Sequence, residues 1–326
     1  MDNAQKQPLF DTSGGSDSRG GLENAQLVGT LLAEKYQITR VLGRGPTSHV
    51  YLAHEEARNR FVAVKVLLSP QAGNSELFSM FLQDAAAARA VSHPSIVSLD
   101  DYGKLESGLP YIVGDYLRDV SLADLIAKGQ LSPKRSLAIL VQLCDALSHA
   151  HRCSVIHGDL KPSNVMVVTD GNGDSIRIVD FGMSRLNACE EGSSDLGPPD
   201  LYASPERSSA GKFDARSDLY SLACIMYEVF MGTTPFVGTA YEVKQQHRKA
   251  VPPYMELPTV PVGVKRKLNE IVLRGMAKSP GFRYQTADEL KTELHAVQSQ
   301  MSGGYFKRLG RMIQNATVNR KDHRRK

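Results

Sequence analysis

The 326-residue chain is 41% hydrophobic and 23% charged, with a formal net charge of +4, the balance of an ordinary soluble protein. Its length exceeds the size at which one apolar core keeps growing, so two lobes are expected. No apolar run is long enough to span a bilayer, and residues 1–34 lack the basic start and apolar centre of a secretion signal, which together predict a cytoplasmic protein.

Residues 1–34, with the polar, glycine-rich run Asp11 to Gly21, read as a disordered leader. From Tyr36 to Tyr116, β-rich alternating segments surround one helical stretch, Glu76 to Val91, predicting a small sheet lobe over 35–116. The segment 117–298 reads as a larger helical lobe, so the fold class is α+β. Within it, Leu131 to Arg152 carries Leu137, Leu140, Val141, Cys144 and Leu147 at helical spacing, and Ser217 to Met231 is apolar enough for the centre of a bundle. Between these, Val165 to Asp180 predicts a hairpin around Gly171-Asn172-Gly173. Asp170, Asn172 and Asp174 have the spacing that opens a calcium loop, but Ser175 stands where such a loop needs glycine and Phe181 where it needs glutamate, which favours turn chemistry. Cys144, Cys153, Cys189 and Cys224 show no metal or redox spacing, and Cys189 falls in a polar loop. Residues 299–326 read as a basic tail: Tyr305 to Lys326 holds eight Lys and Arg against Asp322 alone. Phe306, Leu309, Met312 and Ile313 there share one helical face, which suits a solvated tail, a helix docked on its own domain, or contact with an anionic membrane or nucleic acid.

The chemistry is concentrated in His157-Gly158-Asp159-Leu160-Lys161-Pro162-Ser163-Asn164 and Asp180-Phe181-Gly182. Transfer of a phosphoryl group from Mg-ATP needs one carboxylate to accept a hydroxyl proton, and a second, with an amide oxygen, to hold the magnesium ions that bridge the phosphates. Asp159, Asp180 and Asn164 fit those roles, and Lys161 stands where a point charge offsets negative charge on the transferred group. Upstream, Leu42-Gly43-Arg44-Gly45-Pro46-Thr47-Ser48-His49-Val50 is a degenerate glycine-rich turn, and Val62-Ala63-Val64-Lys65-Val66-Leu67 is an alternating strand carrying one lysine.

In this order the four motifs resemble the protein kinases over residues 36 to 298, and Asp-Leu-Lys-Pro-Ser-Asn resembles the serine/threonine kind. His93-Pro94-Ser95-Ile96-Val97 and Ser217-Asp218-Leu219-Tyr220-Ser221-Leu222 are similar to the bacterial branch of the eukaryotic-like kinases. The resemblance implies a two-lobed kinase fold, ATP and Mg2+ as cofactors, and proteins bearing Ser or Thr as substrates, with self-association open. It implies catalytic roles for Asp159, Lys161 and Lys65 and magnesium ligation by Asn164 and Asp180. Nucleotide contacts carry over to Leu42, Gly43, Gly45, Val50, Ala63, Lys65, Asp84, Asp115, Leu117, Asn164 and Asp180, with adenine on the backbone of Asp115 and Leu117. Gly114 falls where a bulky side chain usually closes the cavity behind the base. Ser204-Pro205-Glu206, Asp218 and Arg283 resemble the scaffold beneath the substrate platform, with Glu206 paired to Arg283, and His157 is expected to pack on the magnesium-binding segment. His149 and His151 read as helix surface or core residues with no ligand set around them.

Several positions depart from the family pattern. Ser48 replaces a third glycine, and Asp84, one methylene short of the usual glutamate, must reach Lys65 by a closer helix or a bridging water, an approach that the run Ala85 to Ala88 favours. Gly158 replaces an arginine that binds a phosphorylated loop, implying weak dependence on phosphorylation at Ser193 or Ser194. Pro199 stands where a hydroxyl normally contacts the catalytic aspartate and lysine, unless Gly197 shifts the register by one. These departures keep a second expectation alive, a pseudokinase that binds nucleotide or a partner without transfer.

Overall fold

The computed structural model describes residues 27–45, 48–68, 75–171, 173–181, 199–207 and 213–301. Strands β1 (Leu31–Leu32), β2 (Tyr36–Arg44), β3 (Ser48–Glu55), β4 (Arg60–Leu67), β5 (Leu99–Lys104) and β6 (Pro110–Asp115) form an antiparallel sheet in the order β1-β2-β3-β4-β6-β5. Alternation along β4 assigns its two faces. Val62, Val64 and Val66 are buried in a cluster with Ile38, Tyr51 and Val113, while Ala63 and Lys65, on the other face, line the cleft. Helix α1 (Ser75–Ala90) packs on that second face through Phe81 and Ala85, against Leu67 and Ile112. Ala85 and Ala88 are buried and Ala86 and Ala87 exposed, so the alanine run supplies a thin inner face that lets the helix lie close to the sheet.

The sheet begins inside the stretch assigned above to the leader. Leu31 pairs with Gln37 and Leu32 with Tyr36, and Leu27 and Leu32 pack on the small-lobe cluster. Ala33 and Glu34 turn the chain at φ 51° and 55°, left-handed conformations that neither residue type announces in a sequence. The rest of the leader, the tail from residue 302, Asn172, Gly182, Cys189, Ser193, Ser194 and Gly197 lie outside the described residues.

The larger lobe contains β7 (Val120–Ser121), α2 (Leu122–Ala127), α3 (Pro133–Arg152), β8 (Val165–Asp170), β9 (Gly173–Ile178), α4 (Ala215–Met231), α5 (Ala240–Lys249), α6 (Val262–Gly275) and α7 (residues 287–301). Helix α3 starts where Ser132 accepts from the Arg135 N–H and Pro133 fixes the first turn. Its Leu137, Leu140, Cys144 and Leu147 are fully enclosed, as their spacing predicts, and Val141 is partly buried beside them. Helix α4 is the buried centre of the bundle, with Leu219, Tyr220, Cys224 and Ile225 inaccessible. The β8–β9 hairpin forms as expected. Asp174 there takes Arg135 Nε at 2.6 Å, Arg135 Nη2 at 2.9 Å and the Thr169 hydroxyl at 2.7 Å, which commits its carboxylate to the turn and not to calcium. The lobes are also joined away from the covalent crossing: Val97 N–H donates to Ile178 O at 2.9 Å and Ile178 N–H to Ser95 O at 2.8 Å.

Candidate active site

The 157–164 loop is held by a carboxylate from the bundle. Asp218, on buried α4, accepts the backbone N–H groups of His157 at 2.9 Å and Gly158 at 2.8 Å, and His151 Nε2 at 2.8 Å. Burial raises the Asp218 pKa, but His151 and these donors outweigh it and keep the carboxyl below its ordinary value. His157 is inaccessible; its Nε2–H donates to Val179 O at 3.0 Å and its Nδ1 accepts the Asp159 N–H at 3.2 Å. Both nitrogens are committed to the neutral tautomer, burial lowers the imidazole pKa, and the ring packs on Phe181 at 4.6 Å. His157 therefore orients the loop and is not placed to shuttle protons.

Three polar side chains meet on this platform. Lys161 Nζ lies 2.8 Å from Asp159 Oδ2, and Asn164 Nδ2 donates to the Asp159 carbonyl at 2.9 Å. Burial raises the Asp159 pKa, Lys161 and then Arg207 more than offset it, and the carboxyl stays ionised below its usual range. Lys161 is pulled down by burial and pushed up further by Asp159, Asp200 and Asp180. The Asn164 carbonyl accepts the Val179 N–H at 3.0 Å, fixing the loop to the strand end that carries Asp180. Asp180 sits at φ 67°, a strained setting for a side-chain-bearing residue that costs on the order of 1–3 kcal/mol. Its carboxylate is gripped by Lys65 Nζ at 2.7 Å, an ion pair spanning the two lobes.

The cleft between the lobes is apolar at one end and polar at the other. Leu42, Val50, Ala63 and Met166 line the first, with Lys65, Asn164 and Asp180 at the second, and Asp115, Tyr116 and Leu117 edge it. Arg60 takes the Asp115 carboxylate at 2.8 Å, together with Glu55 at 2.7 Å and Asp100 at 2.8 Å. The Asp115 side chain is thus held by the sheet, leaving the backbone of that strand end to face a ligand.

The protein kinase domain family matches residues 36–293. The chain belongs to that family. Serine/threonine-protein kinase PknB of Mycobacterium tuberculosis (strain ATCC 25618 / H37Rv) is 35% identical over 280 residues, covering 82% of this chain and 44% of its own. Serine/threonine-protein kinase PrkC of Bacillus subtilis (strain 168) is 34% identical over 275 residues, covering 82% and 41%. The chain thus falls in the bacterial branch of the eukaryotic-like serine/threonine kinases, and spans less than half the length of these relatives. A crystallised mutant of the Mycobacterium tuberculosis PknI kinase domain superposes with a TM-score of 0.65 at 25% identity, over 83% of this chain and 98% of that one. Kinases of this family use ATP with a divalent metal ion and act on protein substrates.

Within this kinase domain, Leu42, Val50, Ala63, Lys65, Asp115, Leu117, Asn164 and Asp180 line the cleft, while Gly43, Gly45 and Asp84 are not among the lining residues. Asp159 and Lys161 lie on the adjoining loop. The cation of Lys65 sits on Asp180 at 2.7 Å, where the sequence had placed it opposite Asp84, half-buried on α1. Gly114 lines the cleft without a side chain, and a Cβ there would stand 3.1 Å from Ser98 O beside the Leu99–Gly114 pair. The expected scaffold pair is formed in full. Arg283 is inaccessible and reaches both Glu206 oxygens at 2.7 Å, with its remaining N–H groups on the carbonyls of Ala277, Arg216 and Lys278.

Three elements of the site carry no local sequence signal. His151, read only as a helix residue, pairs with Asp218 across 67 positions. Arg60 and Arg207 likewise act on partners 40 to 55 positions away, through side chains whose types are common on any surface. A buried arginine with several carboxylates in reach becomes visible only once the chain is folded.

Proposed function

We propose that the protein is a serine/threonine protein kinase that transfers the γ-phosphoryl group of ATP to hydroxyls of proteins, itself included. The observation that carries this reading is that Lys65 and Asp180 pair at 2.7 Å in the cleft that Asn164 also lines, while Asp159, bonded to Lys161 and Asn164 at 2.8 and 2.9 Å, stands on the adjoining loop. The donor set suits magnesium. Asp180 offers a carboxylate, and Asn164, with Nδ2 committed to a carbonyl, offers its amide oxygen, both hard oxygen ligands. Bound there, magnesium would neutralise charge on the phosphates.

The chain's own residues supply the rest. Lys65 has a cationic head at the phosphate end of the cleft and, held by Asp180, needs little reorganisation when nucleotide enters. Asp159, kept ionised, accepts the hydrogen bond of an incoming hydroxyl and orients it toward the phosphorus, taking its proton as the new bond forms. Lys161 follows Asp159 at 2.8 Å and offsets charge on the transferred group. Among the described residues no helix is long and apolar enough to cross a membrane, and Cys144, Cys153 and Cys224 are free thiols, which supports a cytoplasmic reaction. Residues 303–326, outside the described part, are proposed as a contact for anionic membranes or nucleic acid, testable by binding with and without them across salt concentrations.

The test is transfer from labelled Mg-ATP to the protein itself and to histone, comparing wild type with Asp159→Asn. Wild type should yield phosphoserine or phosphothreonine, and Asp159→Asn should lose roughly two to four orders of magnitude. Pro199, which has no hydroxyl to offer the loop, favours the rival pseudokinase. Thermal stabilisation by nucleotide without any transfer would select it.

A further inference from the structure

Arg207 follows Ser204-Pro205-Glu206 and enters the mechanism above only by helping to keep Asp159 ionised, yet its side chain is only 4% exposed beneath the reacting groups. One terminal nitrogen, Nη1, donates to the Gly158 carbonyl. The other, Nη2, lies 3.7 Å from Asp159 Oδ1 and 3.6 Å from Asp200 Oδ2. Asp200 follows Pro199; its Oδ1 accepts the Tyr202 N–H at 3.2 Å, and its buried Oδ2 has no hydrogen bond among the described residues, so Arg207 is the cation it faces. With Lys161 on Asp159, the four groups form a row of alternating sign: Lys161, Asp159, Arg207, Asp200.

This row sits where two departures of the sequence coincide. Gly158, at φ +74° in the left-handed region that favours glycine, presents a carbonyl and no side chain. Pro199 offers no hydroxyl to connect the substrate-receiving segment with Asp159 and Lys161. Arg207 restores a cation at that point from the opposite side of the chain, and Asp200 supplies a permanent carboxylate for it. A guanidinium suits the task because its planar fork reaches one carbonyl and two carboxylates at once.

We propose that Arg207 is a positioning residue that ties Asp200, on the substrate-receiving segment, to Asp159 and Gly158, so that an internal carboxylate, in place of a loop phosphate, holds the segment ready for a protein hydroxyl. This rests on the kinase reading above. The clamp acts on the protein acceptor and not on ATP, since neither Arg207 nor Asp200 lines the nucleotide cleft. A merely structural pair would lower stability and both substrates' parameters together.

The experiment uses the full chain as wild type, Asp200→Asn, Arg207→Gln, Arg207→Lys and the double variant Asp200→Asn/Arg207→Gln, with histone as acceptor. Asp200→Asn and Arg207→Gln should each lower kcat/KM for histone by about tenfold or more, leaving KM for ATP within about twofold and the Mg-ATP-induced thermal shift intact. The double variant should be no worse than the poorer single one, and Arg207→Lys should recover part of the loss. Phosphatase-treated wild type should keep its activity. Should Arg207→Gln fail to fold, Asp200→Asn, a third exposed, decides alone through the split between histone and ATP parameters. Losses that multiply in the double variant, normal histone kinetics in both single variants, or equal shifts for ATP and histone overturn the clamp while leaving the kinase reading standing. A wild type that transfers no phosphate overturns both.

Discussion

Single positions decide the shape of this cleft. Gly114, with no side chain, lines the same cavity as Ala88 and Phe181. Purine-like inhibitors bearing a large aromatic group should therefore bind wild type at least about tenfold tighter than Gly114→Phe, measured by competition with ATP. Any Cβ at 114 must displace Ser98 O, 3.1 Å away, so Gly114→Ala controls for backbone movement; equal inhibitor affinity in wild type and Gly114→Phe would contradict this. Much at this scale was legible in the chain. Asp159, Lys161, Asn164 and Asp180 lie in two short runs whose chemistry is dictated by residue type and spacing, and Lys65 sits in an alternating strand that faces it to the cleft. The Lys65 contact with Asp180 was not foreseen, because it depends on how the two lobes close, which no local pattern records.

At the scale of elements, buried polar contacts pin helices and loops to one another. Arg283 joins the segment ending at Glu206 to α4 and to the turn before α7, with every guanidinium N–H given a partner. Arg283→Ala would strand the Glu206 carboxylate, which burial raises and Arg283 and Ser217 hold down, and should cost about 3–5 kcal/mol in denaturant unfolding. Unchanged stability would contradict the bridge. His247, inaccessible on α5, bonds the Tyr220 hydroxyl of α4 at 2.9 Å and packs edge-on against Phe236. Burial, with Lys278 nearby, lowers its pKa to about 4. The unfolded chain, near 6.5, takes up that proton first as pH falls. Stability from the neutral ring is complete above about pH 6.5 and lost toward pH 4, at about 1.4 kcal/mol per pH unit inside that window. His247→Gln should flatten part of the fall in Tm between pH 7 and pH 5, and an unaltered slope would contradict this. Helices α3 and α4 were legible from their apolar residues, whereas β1 and the Arg60 hub were not, since turns at Ala33 and Glu34 and pairings across 40 or more residues leave no local pattern.

Among the described residues the two lobes keep their own packed clusters and meet at the cleft. The small-lobe clusters centre on Val62, Val64 and Phe81, the large-lobe cluster on α3 and α4, and Ala88, Val91 and Ile96 of the first lobe's chain join the second. There Lys65 and Asp180 carry opposite charges into one cleft, so nucleotide binding should draw on both lobes at once. The most direct measurement is the affinity for ATP with and without magnesium, in wild type and in Asp180→Asn. Magnesium should tighten ATP binding by about tenfold or more in wild type and by little in the variant. An equal gain from magnesium in both proteins would contradict the convergence of these residues on one metal-bound triphosphate.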